Sequence, residues 1–278
     1  MTPGGPWRYL ALHMRPIRIG MSGLLSSPGA QARPLLRRRF ARDGCLRLPG
    51  FLSPPLLRLL RRGLKGVPYV RRQRGTGPEM AIVRHWTLEL MVFLLNDPAF
   101  LRAAEGATGC GRIGVCIRRK VYRLQGGLEY RKGWHSDVEA GCRLVLSVNL
   151  SARPSKGGAL QTRRRGSRKI AATVRARPGD ALLISAEPAF EHRVTPLRGR
   201  SSRVAFATVL QDGAPYRRRV SGAGEPVPFP GRFRLPPGAA CWRDGRRLLL
   251  LDAAGGAVHL GELDEARGRF RELGIPPS

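Results

Sequence analysis

Two hydrophobic rhythms divide this chain, a helical one ahead of residue 114 and an alternating one behind it. In the first part Leu56, Leu57, Leu59, Leu60 and Leu64 gather on one helical face, while Arg58, Arg61, Arg62 and Lys65 take the other. That spacing predicts an amphipathic helix, and Pro54 and Pro55 after Ser53 suit its first turn. A helix end near Arg38 and a short strand over Cys45–Leu48 precede it, in FARDGCLRLPGFLS. Further helices are predicted over Trp86–Leu95 and 98–105, and the basic, glycine-containing stretch 70–78 reads as a loop.

Behind residue 114 the apolar positions alternate, most cleanly in LVLSVNL and RVAFATVL. Strands are predicted over 114–124, 143–150, 159–163, 170–174, 181–185, 192–195 and 203–210, with Gly-Gly, Pro-Gly and Arg-Gly between them. Many short strands at this spacing predict a β-sandwich or jelly roll, so the fold class is mainly β with N-terminal helices. A Gly/Pro-rich linker over 212–239 leads to a small β/α appendage over 240–278, too short for a core of its own and expected to pack on the main domain. The main domain is placed at 38–211.

Charge changes the picture at the N-terminus and on the surface. The first 42 residues carry eight arginines and no acidic residue, so 1–37 is set apart as a basic tail. It is disordered, an organellar leader, or untranslated if synthesis starts at Met14 or Met21. Over the whole chain, 50 basic residues against 19 acidic ones leave a net charge of +31, and only five of the fifty are lysine. An excess of this size attracts polyanions, with nucleic acid the first candidate partner. The basic runs 163–165, 168–169 and 217–219 are not interleaved with aromatics, which argues against base stacking. No uncharged apolar run is long enough for a membrane span. Five cysteines without a CxxC pair indicate neither a disulfide framework nor a zinc knuckle, and a cytoplasmic location is expected.

The chemistry sits in three short segments. His135 and Asp137 stand two apart in WHSD, so on an extended strand both leave the same face. His192 follows much later in FEHRVTP, and Arg203 opens the alternating run SSRVAFATVL. Two imidazoles and a carboxylate suit a six-coordinate Fe(II) that keeps open positions. A buried guanidinium at Arg203 suits bidentate binding of a carboxylate, with Arg193, Arg198 and Arg200 as rivals for that role. His85, His259, Cys142 and Trp134 are read as packing residues, and Gly157 and Gly158 as turn glycines without a ligand role.

Taken in order, FARDGCLRLPGFLS, KVYRLQGG, WHSD, the KGGAL and PGDALLIS segments, and HRVTPLRGRSSRVAF resemble the Fe(II)/2-oxoglutarate-dependent dioxygenases. Within that superfamily the resemblance is to the prolyl-4-hydroxylase-like and phytanoyl-CoA-hydroxylase-like branches. It implies a double-stranded β-helix (jelly-roll, cupin-like) core with His135, Asp137 and His192 as iron ligands. It also implies Arg203 on the far carboxylate of the cosubstrate 2-oxoglutarate, with Tyr122 adding a hydrogen bond. The implied activity consumes O2, releases succinate and CO2, and hydroxylates a protein side chain or a small metabolite. Ascorbate is a further candidate cofactor. Related halogenases vacate the position that Asp137 fills here, so hydroxylation is favoured over halogenation. One alternative is an AlkB-like nucleic-acid demethylase, which WHSD followed by Glu139 resembles, although Gln211 stands near where that branch has a second arginine. The other is a noncatalytic nucleic-acid-binding jelly roll.

Overall fold

The computed structural model describes residues 16–74, 77–126, 133–138, 141–212, 224–229, 234–252, 256–262 and 264. Its centre is an antiparallel seven-stranded sheet in the order β3 (Cys45–Leu48), β10 (Ala181–Ser185), β7 (Cys142–Asn149), β12 (Ser202–Gln211), β6 (Val115–Gln125), β5 (Gly77–Ile82) and β4 (Val70–Arg74). A smaller sheet of three strands, β11 (Phe190–Val194), β8 (Leu160–Arg164) and β9 (Ile170–Val174), carries the distal histidine. This is the jelly-roll layering that the alternation predicts.

Alternation explains how one large sheet serves two purposes. On β7, Leu144, Leu146 and Val148 are buried in the main core, while Val145 and Ser147 line a cavity on the opposite face. On β10, Ala181 and Leu183 join the same core, and Leu182 and Ile184 turn to the cavity side with Cys45 and Leu160. Strand β10 is therefore buried on both faces, which is why its first four residues, ALLI, are all apolar.

Among the described residues, helices α1 (Ala32–Asp43), α2 (Pro54–Gly63), α3 (Trp86–Leu95) and α4 (Pro98–Thr108) cover the core face. Helix α3 is apolar all round because it is enclosed. It packs against β6 on one side and against β15 (Arg247–Leu251) and β16 (Ala257–Glu262) on another. The expected appendage thus shares the main core, into which Cys241, Leu248, Leu250, Val258 and Leu260 are built. Its sheet also takes β13 (Glu225–Val227), from the expected linker, beside β14 (Ala240–Asp244). Residues 265–278 of the expected β/α appendage lie outside the described residues.

Two expectations are corrected. The stretch 70–78 is not a loop: β4 and β5 form a hairpin that extends the large sheet, with Ala81 opposite Tyr122. Strand β4 is a sheet edge with the sequence VRRQR, and charged edge strands carry no apolar alternation to betray them. The second correction concerns the basic tail. Residues 1–15 lie outside the described residues, but β1 (Arg18–Gly20) and β2 (Gly23–Ser26) form a hairpin whose Ile17, Ile19 and Met21 are buried in the main core. Strand β1 is tied down by Ile19 N–H to Phe51 O at 2.8 Å and Ser53 N–H to Ile19 O at 2.9 Å. The interspersed arginines hid these few apolar positions.

Ile19 is 0 % exposed. Ile19→Ala is therefore expected to lower the free energy of unfolding by about 2–5 kcal/mol, as truncation of a packed aliphatic side chain does. Denaturant unfolding checks this. A change within about 0.5 kcal/mol, typical of unpacked surface positions, would return residues 16–26 to the tail.

Candidate metal centre

The segment 133–138 runs antiparallel beside β11, joined to it by a single backbone pair. His135 N–H donates to His192 O at 3.1 Å, and His192 N–H donates to His135 O at 2.8 Å. Residues opposed in this way send their side chains to the same face, so both imidazoles enter the cavity together, ring centroids 4.3 Å apart. Asp137, two residues on, joins them by the period of the strand. Its Oδ1 lies 3.9 Å from His135 Nε2 and its Oδ2 lies 3.3 Å from His192 Nε2. One donor atom from each of the three residues falls within 4.8 Å of the others, close enough to hold one metal ion.

Hydrogen bonding prepares this donor set. His135 Nδ1 lies 2.9 Å from Gly133 O, and a carbonyl only accepts, so the ring proton belongs on Nδ1. Nε2 is left with its lone pair toward Asp137 and His192. His192 sits in mid-strand on β11, only 7 % exposed, rather than at the strand end that its segment predicted. Thiolates do not compete as donors. Burial pushes the Cys45 thiol up to about 11 and those of Cys116 and Cys241 up to about 12.

The triad opens into a cavity of about 510 Å³ between the two sheets. Arg203, at the start of β12, lines the same cavity and is only 4 % exposed. Its Nη1 donates to Gly158 O at 2.9 Å, and its Nη2 makes a long contact of 3.5 Å to Ser147 Oγ. Among the described residues no carboxylate pairs with it. A buried guanidinium held by neutral acceptors alone is costly, and a ligand carboxylate is the natural complement.

No family model matches the chain, and no curated protein matches it. Solved structures do. The non-heme alpha-ketoglutarate-dependent epimerase SnoN from nogalamycin biosynthesis matches at a TM-score of 0.52 and 20 % identity, covering 66 % of this chain and 84 % of its own. A second SnoN structure, in complex with Fe3+, alpha-ketoglutarate and nogalamycin RO, matches at 0.52 and 20 %, covering 75 % and 96 %. An oxidoreductase of the 2OG-Fe(II) oxygenase family from Burkholderia pseudomallei matches at 0.52 and 17 %, covering 72 % and 99 %. The chain has the fold of the 2-oxoglutarate-dependent iron oxygenases.

Within the oxygenase fold the other expected residues can be placed. Tyr122 lines the cavity from β6. Arg198 and Arg200 are exposed, and Arg193 lies outside the cavity over the Trp134 ring, so Arg203 is the buried one of the four. His85 caps α3, accepting from Thr87 N–H, and His259 stands on β16. Glu139 and the run 217–219 lie outside the described residues.

Three features escaped the sequence reading. Gly158 is more than a turn residue, since its carbonyl holds Arg203 at a φ of +67°, and a Cβ there would press to 2.8 Å from Leu197 Cδ2. Ser147 lines the cavity beside the same guanidinium. The hairpin read as a loop contributes Arg72 and Glu79 to the cavity wall, where Glu79 pairs with Lys120 of β6. Only the KGG and LSVN segments carried any signal, because nothing in a sequence marks which backbone carbonyl a distant arginine will reach.

No helix among the described residues is long and apolar enough to cross a membrane.

Proposed function

We propose that this protein is an Fe(II)- and 2-oxoglutarate-dependent oxygenase that hydroxylates a protein side chain or a small metabolite. One observation carries the reading: a His-Asp-His donor set and a buried guanidinium without a carboxylate partner among the described residues line the same cavity of the oxygenase fold. The donor set fits Fe(II), since two neutral imidazoles and one carboxylate leave positions open for a 2-oxo acid and O2. His135, Asp137 and His192 would hold the iron, which would supply the chemistry by which one O2 is consumed, one oxygen atom going to succinate as 2-oxoglutarate loses CO2 and the other to the substrate.

The chain's own residues bind and orient. His135, Asp137 and His192 hold the metal; Arg203, kept in place by Gly158 O and Ser147, receives the far carboxylate of 2-oxoglutarate. Tyr122 donates its hydroxyl to that carboxylate from the neighbouring strand. Val145, Leu160, Leu182, Ile184 and Val194 form an apolar wall that keeps water from the reacting atoms. The structure of SnoN with Fe3+ and alpha-ketoglutarate supports the same cofactor pair in this fold.

The test is succinate release from 2-oxoglutarate by the full chain with Fe(II), O2 and ascorbate. It is run alone, with peptide and metabolite pools, and with methylated oligonucleotide. Turnover that rises with a peptide or metabolite, which then gains the mass of one oxygen, supports the proposal. Turnover that rises only with methylated oligonucleotide would replace hydroxylation with demethylation. No succinate under any condition from folded, iron-loaded protein would sink the oxygenase reading.

A further inference from the structure

The two ligands in WHSD are carried by a segment that, among the described residues, makes one backbone pair with β11, His135 with His192. The residues between and beside the ligands add to it. Strand alternation turns Trp134 and Ser136 away from the cavity, onto the outer face of the small sheet. There, three arginines meet them. The guanidiniums of Arg163 and Arg193 lie over the Trp134 ring, 4.3 and 4.5 Å from its centroid. Arg165 donates from Nη2 to Ser136 Oγ at 2.7 Å.

Two of the three arginines are themselves anchored. Arg163 grips Glu191 on the neighbouring strand through Nε at 2.9 Å and Nη2 at 2.8 Å. Arg193 donates from Nε to Gln161 Oε1 at 2.8 Å. Arg163 stands opposite Glu191 in the register of β8 and β11, and Gln161 stands opposite Arg193, flanking the pair Thr162 and His192. The outer row and the third metal ligand thus share two adjacent strands. A ring held by two fixed cations resists sliding or turning in a way that an apolar contact alone does not.

Resting on the metal-binding reading of the triad, we propose that Trp134 and Ser136 clamp the His135–Asp137 segment to the arginine row Arg163, Arg165 and Arg193, and that this clamp sets the metal affinity. These are positioning residues, acting through His135 and Asp137. Their effect is to order His135 and Asp137 before the metal arrives, so that binding does not bear that ordering cost. Loss of groups that orient metal ligands typically lowers affinity by about 10–100-fold.

The test is a Co(II) titration of the metal-free full chain, followed by visible absorption, with the melting temperature measured in chelator. Trp134→Leu, which keeps apolar cover but loses the π-face, is expected to weaken Co(II) binding by about tenfold, or about 1.4 kcal/mol. The melting temperature without metal should stay within about 2 °C. Trp134→Phe should restore most of the affinity, because it keeps a face for the guanidiniums. Arg193→Gln should weaken binding by about threefold in the wild-type background and by nothing further in Trp134→Leu, since it acts through that ring. Three results would overturn the clamp: Trp134→Leu binding Co(II) as tightly as wild type; Trp134→Phe as weak as Trp134→Leu; or additive losses that track a falling melting temperature, the mark of ordinary packing. Failure of wild type to bind Co(II) would remove the metal centre itself, and the clamp with it.

Discussion

Replacing His192 by alanine is expected to abolish metal binding, with affinity falling by more than the roughly 100-fold that loss of a merely supporting partner costs. His192 is buried on β11, shares a backbone pair with His135, and places its Nε2 3.3 Å from Asp137 Oδ2. Two ligands on one segment would remain, and the third corner of the site would be an apolar gap. Isothermal titration with Co(II) or Fe(II) under anaerobic conditions measures the loss. His192→Gln keeps most of the volume and separates the ligand effect from cavity formation, so it should fold as wild type and still bind metal poorly. Wild-type affinity in both variants would show that the triad is not the metal centre.

Arg203→Gln is expected to raise the 2-oxoglutarate requirement by about 100-fold or more while leaving metal affinity in its absence unchanged. Removing one partner of a buried ion pair costs about 3–5 kcal/mol, and on the proposed reading the partner left behind is the far carboxylate of 2-oxoglutarate. Arg203→Lys should fall between, because it keeps the charge and loses the fork. A second expectation concerns the protein without cosubstrate. Arg203 is 4 % exposed, and among the described residues its hydrogen bonds reach only neutral oxygens, so Arg203→Met is expected to melt at or above the wild-type temperature. An anaerobic titration following the visible band of the metal–2-oxoglutarate complex, with a thermal melt of each variant, checks both. An unchanged 2-oxoglutarate titration in Arg203→Gln would move the cosubstrate site elsewhere in the cavity.

Where the residue pattern was informative, it was because local geometry and burial coincide. Alternation in LVLSVNL and RVAFATVL reports two differently covered faces, and β7 and β12 have such faces. HxD spacing is informative for the same reason, since one strand period is enough to bring His135 and Asp137 to one face. The charged edge β4 and the apolar residues of β1 were illegible because neither follows an uninterrupted rhythm.

The strand-rich class, the two-residue spacing of His135 and Asp137, and the residue types that suit a metal were legible in the amino-acid pattern alone. That His192 opposes His135 came from the folded chain, since a backbone pair between distant segments leaves no mark in either one. So did the burial of Arg203, alone of four nearby arginines, against Gly158 and Ser147, with Arg198 and Arg200 left in solvent. The physical reason is common to both. Periodicity records which face of an element is covered, whereas a site depends on what covers it, and that is set by long-range pairing between strands.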